Sequence, residues 1–464
     1  MLLILANINN SFGQEEFPFK EIGQLDTKSA NEIKSSRWSI GGETLDRDYA
    51  DYDSYKEYLG PLGAKRIRLQ GGWAKCEKVK GVYDFSWMDS IVDDALAQGV
   101  HPWIQTSYGN PIYEGGGEPA LAGGIPTSDE ALLAWDKWVE AIVSRYKDRV
   151  TEWEIWNEPD ISKRFTSDDF AIFHVRTADI IRKIQPDSRI IALGLAGLRN
   201  VEYVRSILDI LEKEDRLDQF DILTFHGYTA RPEAIYGQVE NLRTLVKSYR
   251  EDIELWQGEN GAPSTAVGTA VGAMSKEGWS EISQAKYVLR RMAGDMGNEI
   301  DVTSVFQISD MNYKAGDHMS GLNSKGLLQA NSDNSIVKAK LSYYAYQNMA
   351  TIFSGDISVA VKVNIKTNVN EVLVYAFQSK QTKANSVAYW DAEKKPTDEL
   401  SFTKVTLSNM PKFKNPVLVN PFTGKVYEIP ADSIGKGANG WDYKNMPAGD
   451  WPLLILEKNW IELQ

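Results

Sequence analysis

From about residue 37 to residue 350, short apolar runs alternate with longer amphipathic stretches. That rhythm constrains the fold more than anything else in the chain. A strand that returns through a helix before the next strand begins must pair with it in parallel. The expected strands are Trp38–Gly41, Arg66–Leu69, His101–Gln105, Glu152–Trp156, Ile190–Leu193, Asp221–Phe225, Ile253–Trp256 and Val302–Gln307, eight in all. The stretches between them carry helical spacing and readable ends. The run from Ser86 repeats its apolar residues at three and four and stops at Gly99, as a C-cap would. The run from Ser128 to Tyr146 opens on an N-cap residue followed by acids, as does the run from Ser167 toward Pro186. No GxGxxG loop follows the first strand, which removes the support for a dinucleotide-binding open sheet. The expected fold class is α/β, a (β/α)8 TIM barrel over residues 15–354.

After Phe353-Ser-Gly the helical period disappears. Residues 355–464 show short alternating runs, Ser358-Val-Ala-Val-Lys-Val and Pro416-Val-Leu-Val among them, separated by turn residues. This predicts a C-terminal antiparallel β-sandwich, joined at an edge by part of 15–36. Residues 1–14 read as the remnant of a secretory signal, with Leu2 to Ala6 apolar and Ser11 and Gly13 small. Secreted or periplasmic localisation is therefore expected. No later stretch approaches the roughly 18 apolar residues of a membrane span.

Charge and composition narrow the partners. A formal net charge of −13 sets a field that repels nucleic acid. One cysteine, Cys76, permits no intrachain disulfide, and with four histidines it offers little for a structural zinc site. No metal and no cofactor is expected.

In a parallel barrel the reacting groups come from the C-terminal ends of strands. Glu152-Trp-Glu-Ile-Trp-Asn-Glu-Pro-Asp runs off the fourth strand into a loop broken by Pro159, which puts Glu158 at the rim. Ile253-Glu-Leu-Trp-Gln-Gly-Glu-Asn-Gly does the same on the seventh, with Glu259 between two glycines. Carboxylates there can face each other across the mouth. Glycosidic cleavage needs such a pair: a neutral acid to protonate the leaving oxygen and an anion to meet the oxocarbenium-like carbon.

These strings resemble the clan A glycoside hydrolases. Trp156-Asn157-Glu158-Pro159 is similar to that clan's strand-four motif, and Gly258-Glu259-Asn260-Gly261 to its strand-seven motif. The resemblance extends to Arg68 on strand two, to Thr224-Phe-His226-Gly-Tyr228 on strand six, and to Gly326-Leu-Leu with Lys338 to Ala345 near the end of the barrel. It is strongest to family 39, the β-xylosidase and α-L-iduronidase group, whose members also append a β-sandwich. The resemblance implies Glu158 as acid/base and Glu259 as nucleophile. It also implies Asn157 on the sugar 2-hydroxyl, Arg68 bonded to the nucleophile, and His226 and Tyr228 lining the subsite. One departure is visible: Phe306 and Gln307 stand where many clan members end strand eight in tryptophan.

Aromatic residues at or just past strand ends are candidate sugar platforms: Trp73, Trp103, Tyr108, Tyr113, Trp156, Trp256 and Tyr313. The loop Glu114-Gly-Gly-Gly-Glu-Pro-Ala-Leu-Ala-Gly-Gly lacks a basic residue and reads as a lid or subsite wall, and Lys163 and Arg164 as solvated loop. The expected activity is retaining hydrolysis of β-linked (or equatorial L-) bonds in oligo- or polysaccharides. A non-catalytic carbohydrate-binding barrel and a transglycosylase stay open beside it.

Overall fold

The computed structural model describes residues 17–314, 319–360 and 364–464. The stretch read as a signal remnant lies outside the described residues. After a short strand β1 (Glu21–Gln24) come the eight strands of a closed barrel. They are β2 (Trp38–Gly41), β3 (Arg66–Gln70), β4 (His101–Thr106), β5 (Glu152–Ile155), β6 (Arg189–Leu195), β7 (Ile222–Phe225), β8 (Glu254–Asn260) and β9 (Val302–Val305). Every neighbouring pair is parallel, and Trp38 beside Thr303 closes the ring. The expected strands are all present, with Trp38–Gly41 unchanged and no end of the others shifted by more than four residues. No described helix is long and apolar enough to cross a membrane.

Several helices start where short polar side chains satisfy their first amides. Ser128 caps Asp129–Tyr146 by accepting from the Ala131 amide at 3.2 Å. Thr166 and Asp169 form a capping box on Ser167–Ile184. Cys76 ends the short helix Trp73–Cys76 as packing: it is buried, its Sγ lies 3.2 Å from the Gly71 carbonyl, and burial pushes its thiol up to about 12.

Beyond the barrel the chain forms antiparallel sheets of seven and four strands. β1 lies at the edge of the larger one, paired with Lys425–Glu428. The helix Glu281–Gly297 is wedged between barrel and sheets and buried along most of its length. Its Lys286 pairs with Asp450 at 2.5 Å, and its Arg290 donates to Glu233 at 2.6 and 2.8 Å and to the Lys394 carbonyl at 2.9 Å. Trp390, on the strand Asn385–Asp391, donates its indole N–H to the same Glu233 at 2.8 Å. Glu233 thus ties the loop after β7 to both the helix and the sheet.

Candidate active site

The C-terminal ends of the barrel strands open into a cleft of about 840 Å³. Glu158 reaches it through an unusual turn. Trp156 and Glu158 both take left-handed backbone conformations, φ 65° and 48°, each costing about 1–2 kcal/mol for a residue with a Cβ. The Glu158 amide is fixed on the Gly194 carbonyl at 2.9 Å, and Pro159 then starts a single 3₁₀ turn, Pro159–Ile161. The turn swings the carboxyl into the mouth. Glu259 needs no such device, because β8 itself runs on to Asn260.

One oxygen of each glutamate and one ring nitrogen of His226 lie within 4.8 Å of one another. The surroundings of the two acids differ. Glu259 accepts from Arg68 Nη1 and, at 3.0 Å, from the Tyr228 hydroxyl. Burial alone would raise its carboxyl, but His226, Arg68 and Tyr228 outweigh it and hold the group below the usual carboxylate range. Glu158 has a single strong partner, His226 Nδ1 at 2.7 Å. Burial, with smaller help from Glu259 and Asp160, raises its affinity for a proton against the pull of His226. One carboxyl is set up to hold a proton and its neighbour to release one, the division of labour that two-carboxylate chemistry requires.

A second layer orders the first. Arg68, fully buried, donates Nε to Glu154 at 2.7 Å and Nη2 to Asn157 Oδ1 at 2.8 Å. Asn157 lines the cleft and donates to Tyr108 Oη at 3.0 Å. Glu154 also accepts from Gln105 at 3.1 Å and Thr224 at 2.9 Å.

The structure brings part of the expected residue set to one place. The cleft brings together Glu158, Glu259, Asn157, Tyr228, Tyr108 and Tyr313. Arg68 and His226 lie beneath the two glutamates with no exposed surface, so they support carboxylates rather than reach a bound sugar.

Three tryptophans must be corrected. Trp103 and Trp256 point inward and pack edge-to-face at 5.4 Å inside the barrel, with Ile191, Ile222 and Val302. Trp256 bonds Glu254 and sits under Arg66 and Arg189, which begin β3 and β6, at the end of the barrel opposite the cleft. Trp73 packs outside the strands against Trp135 and Trp138 and donates to Glu77 at 2.6 Å. Trp156 and Tyr113 are likewise core, the first against Trp135 and Phe173, the second stacked on Trp73. The glycine loop is a wall: Leu121 lines the cleft, and Arg164 clamps the Gly123 carbonyl at 3.1 Å.

Residues the sequence reading passed over complete the site. Glu43 and Gln70 line it, as do Arg47, which stands 5.0 Å over the Tyr108 ring, and Lys325. Lys325 is buried, bonds Asn323 Oδ1 at 3.3 Å, and burial brings its ammonium down to about 8 despite Glu259. The signal for Glu43 was an acid two residues beyond an apolar strand. For Glu154 it was an acid within one, a position that demands a buried partner.

The profile of glycosyl hydrolases family 39 matches residues 65–257, the span that holds Arg68, Asn157, Glu158, His226 and Tyr228. That span is less than half of the chain, and over it the chain is similar to glycosyl hydrolases family 39. A β-xylosidase of Geobacillus stearothermophilus is 23% identical over 37% of this chain and 39% of its own length, so the alignment spans well under half of that relative. Among solved structures, a family 39 glycoside hydrolase from the gut symbiont Bacteroides cellulosilyticus WH2 superposes with a TM-score of 0.67 at 19% identity, over 91% of this chain and 81% of that one. A family 39 β-xylosidase from Caulobacter crescentus gives 0.59 at 18% identity, over 94% and 98%. At these identities the structures speak for the fold, a barrel with appended antiparallel sheets.

Proposed function

We propose that the protein is a retaining glycoside hydrolase acting on β-linked (or equatorial L-) bonds of oligo- or polysaccharides, with Glu259 as nucleophile and Glu158 as acid/base. The observation that carries this reading is the close approach of two carboxyls whose environments push their proton affinities apart. Retaining enzymes keep the two groups about 5–5.5 Å apart, whereas inverting ones leave about 6.5–9.5 Å for a water. An oxygen of each lies within 4.8 Å of the other, which favours the first arrangement.

In the first step Glu259 attacks the anomeric carbon as Glu158 gives its proton to the departing oxygen, forming a glycosyl ester and a free alcohol. In the second, Glu158, now ionised, takes a proton from water, which displaces Glu259 and restores both groups. His226 at 2.7 Å steadies Glu158 through the exchange, and Arg68 with Tyr228 keeps Glu259 ionised and aimed. Asn157 faces the cleft with its amide fixed, placed to bond a sugar hydroxyl more tightly as charge develops.

The test is a panel of aryl glycosides and polysaccharides assayed with wild type and Glu259→Gln. Turnover by wild type alone, with the anomeric configuration kept in the first product seen by NMR, supports the reading. Equal activity in both proteins, or an inverted product, refutes it. An added acceptor alcohol in the same assay separates hydrolysis from transglycosylation.

A further inference from the structure

The loop after β2 brings a third carboxylate to the floor of the cleft. Glu43 follows Gly41 and Gly42 and is buried. Its Oε1 accepts from Arg68 Nη1 at 3.1 Å, the same nitrogen that donates to Glu259. Its Oε2 is buried with no hydrogen-bond partner among the described residues. The room for that carboxyl exists because residue 41 is glycine: a Cβ there would collide with it.

Three carboxylates, Glu43, Glu154 and Glu259, therefore meet one guanidinium. A single positive charge cannot neutralise three buried anions, so the number of donors decides which acid keeps a proton. Glu154 has three donors, from Arg68, Gln105 and Thr224. Glu259 has Arg68 and Tyr228, with His226 Nδ1 3.6 Å away. Glu43 has one donor on one oxygen and none on the other. The groups that face it are Arg68 on β3, Glu259 on β8, Tyr55 on the helix Tyr52–Leu59 and Tyr228 in the loop after β7. Burial, and then the charge of Glu259, push its carboxyl up to about 8 against the pull of Arg68.

We propose that Glu43 is a positioning residue for Glu259: a neutral carboxylic acid that occupies the second hydrogen of Arg68 Nη1 without drawing its charge, so that the guanidinium stays committed to the nucleophile. This rests on the reading of Glu259 given above. Glutamine reproduces a neutral carboxyl in shape and acceptor; alanine leaves the Arg68 hydrogen bare.

The experiment compares Glu43→Gln and Glu43→Ala with wild type on an activated aryl glycoside, whose leaving group departs without help from Glu158. At pH 6.5, Glu43→Gln should keep kcat/KM within about threefold, and Glu43→Ala should lose about tenfold or more. The wild-type rate should also fall as pH rises through about 8, where Glu43 ionises and competes for Arg68, and that limb should be absent from Glu43→Gln. A glutamine variant as slow as the alanine variant overturns the proposal, as does an alanine variant as fast as wild type. Should Glu43→Ala fail to fold, infrared difference spectra of wild type against Glu43→Gln at pH 7 decide. Loss of a protonated-carboxyl stretch supports the proposal, and no loss overturns it. That spectrum reads Glu43 even if wild type hydrolyses no glycoside, an outcome that would instead remove the proposed function.

Discussion

Replacing Arg68 by methionine should damage stability and mechanism together, in ways that pH can separate. The side chain is fully buried, and its contacts include the carboxylates of Glu43, Glu154 and Glu259 and the amide oxygen of Asn157. Breaking a buried pair from one side leaves uncompensated charge and costs about 3–5 kcal/mol. Set against a total stability of about 5–15 kcal/mol, that is a large share. The sign of its pH dependence follows from proton linkage. In the wild type Glu259 is held below the usual carboxylate range, so it contributes stability above that range, lost as pH falls through its folded value. In Arg68→Met the stranded carboxylates are pushed up, so the folded state binds more protons than the unfolded one. The variant should therefore gain more stability from pH 7 to pH 5 than the wild type, in which Glu43 is raised, and so already gains from acidification, while Glu259 is not. The acid limb of kcat/KM should also rise by about 1–3 pH units, the usual effect of one nearby opposite charge on a carboxylate. Urea unfolding at pH 5, 6 and 7, with pH–rate profiles on one aryl glycoside, reads all three quantities. A variant as stable as wild type at pH 7, or one that weakens on acidification, would refute the charge argument.

Three further outcomes follow from named contacts. Glu158→Ala should slow substrates with poor leaving groups far more than activated aryl glycosides; equal losses on both, measured as kcat/KM, would remove Glu158 from the acid/base role. Tyr228→Phe deletes the 3.0 Å bond to Glu259 Oε2, and a hydrogen bond to a charged group is worth about 1.5–3 kcal/mol, so kcat/KM should fall by roughly tenfold to a hundredfold with the melting temperature little changed. Trp73→Ala should do the reverse, costing about 3–5 kcal/mol of stability in denaturant titration while leaving KM near wild type, because the ring packs on Trp135 and Trp138 away from the cleft.

The architecture was legible because barrel strands are covered on both faces and so read as apolar runs. Glu158 and Glu259 were legible for the converse reason, as acids at the ends of such runs. What sequence could not give was direction. Trp103 and Trp256 fall on barrel strands as a platform residue would, yet the pleat turns them into the barrel interior. The same parity puts Arg68, beside Trp103 in register, under Glu259. Glu43 was hidden by its context, since Gly-Gly-Glu reads as a turn until the missing Cβ of Gly41 is seen to make room for a carboxyl. Lys325 comes to the nucleophile from a distant stretch of chain, and only the folded backbone reports that proximity.

Glu233 holds Arg290 and the Trp390 indole, and the next two residues, Ala234 and Ile235, are part of the cleft wall. The wall is therefore cross-braced to the C-terminal sheet through this carboxylate, and again where Arg231 Nη1 donates to the Glu393 carbonyl at 3.3 Å. A brace of that kind makes cooperativity a property of the pair. Barrel and appended sheets should then share one melting transition, and a separate, earlier transition of the sheets in calorimetry would refute the coupling.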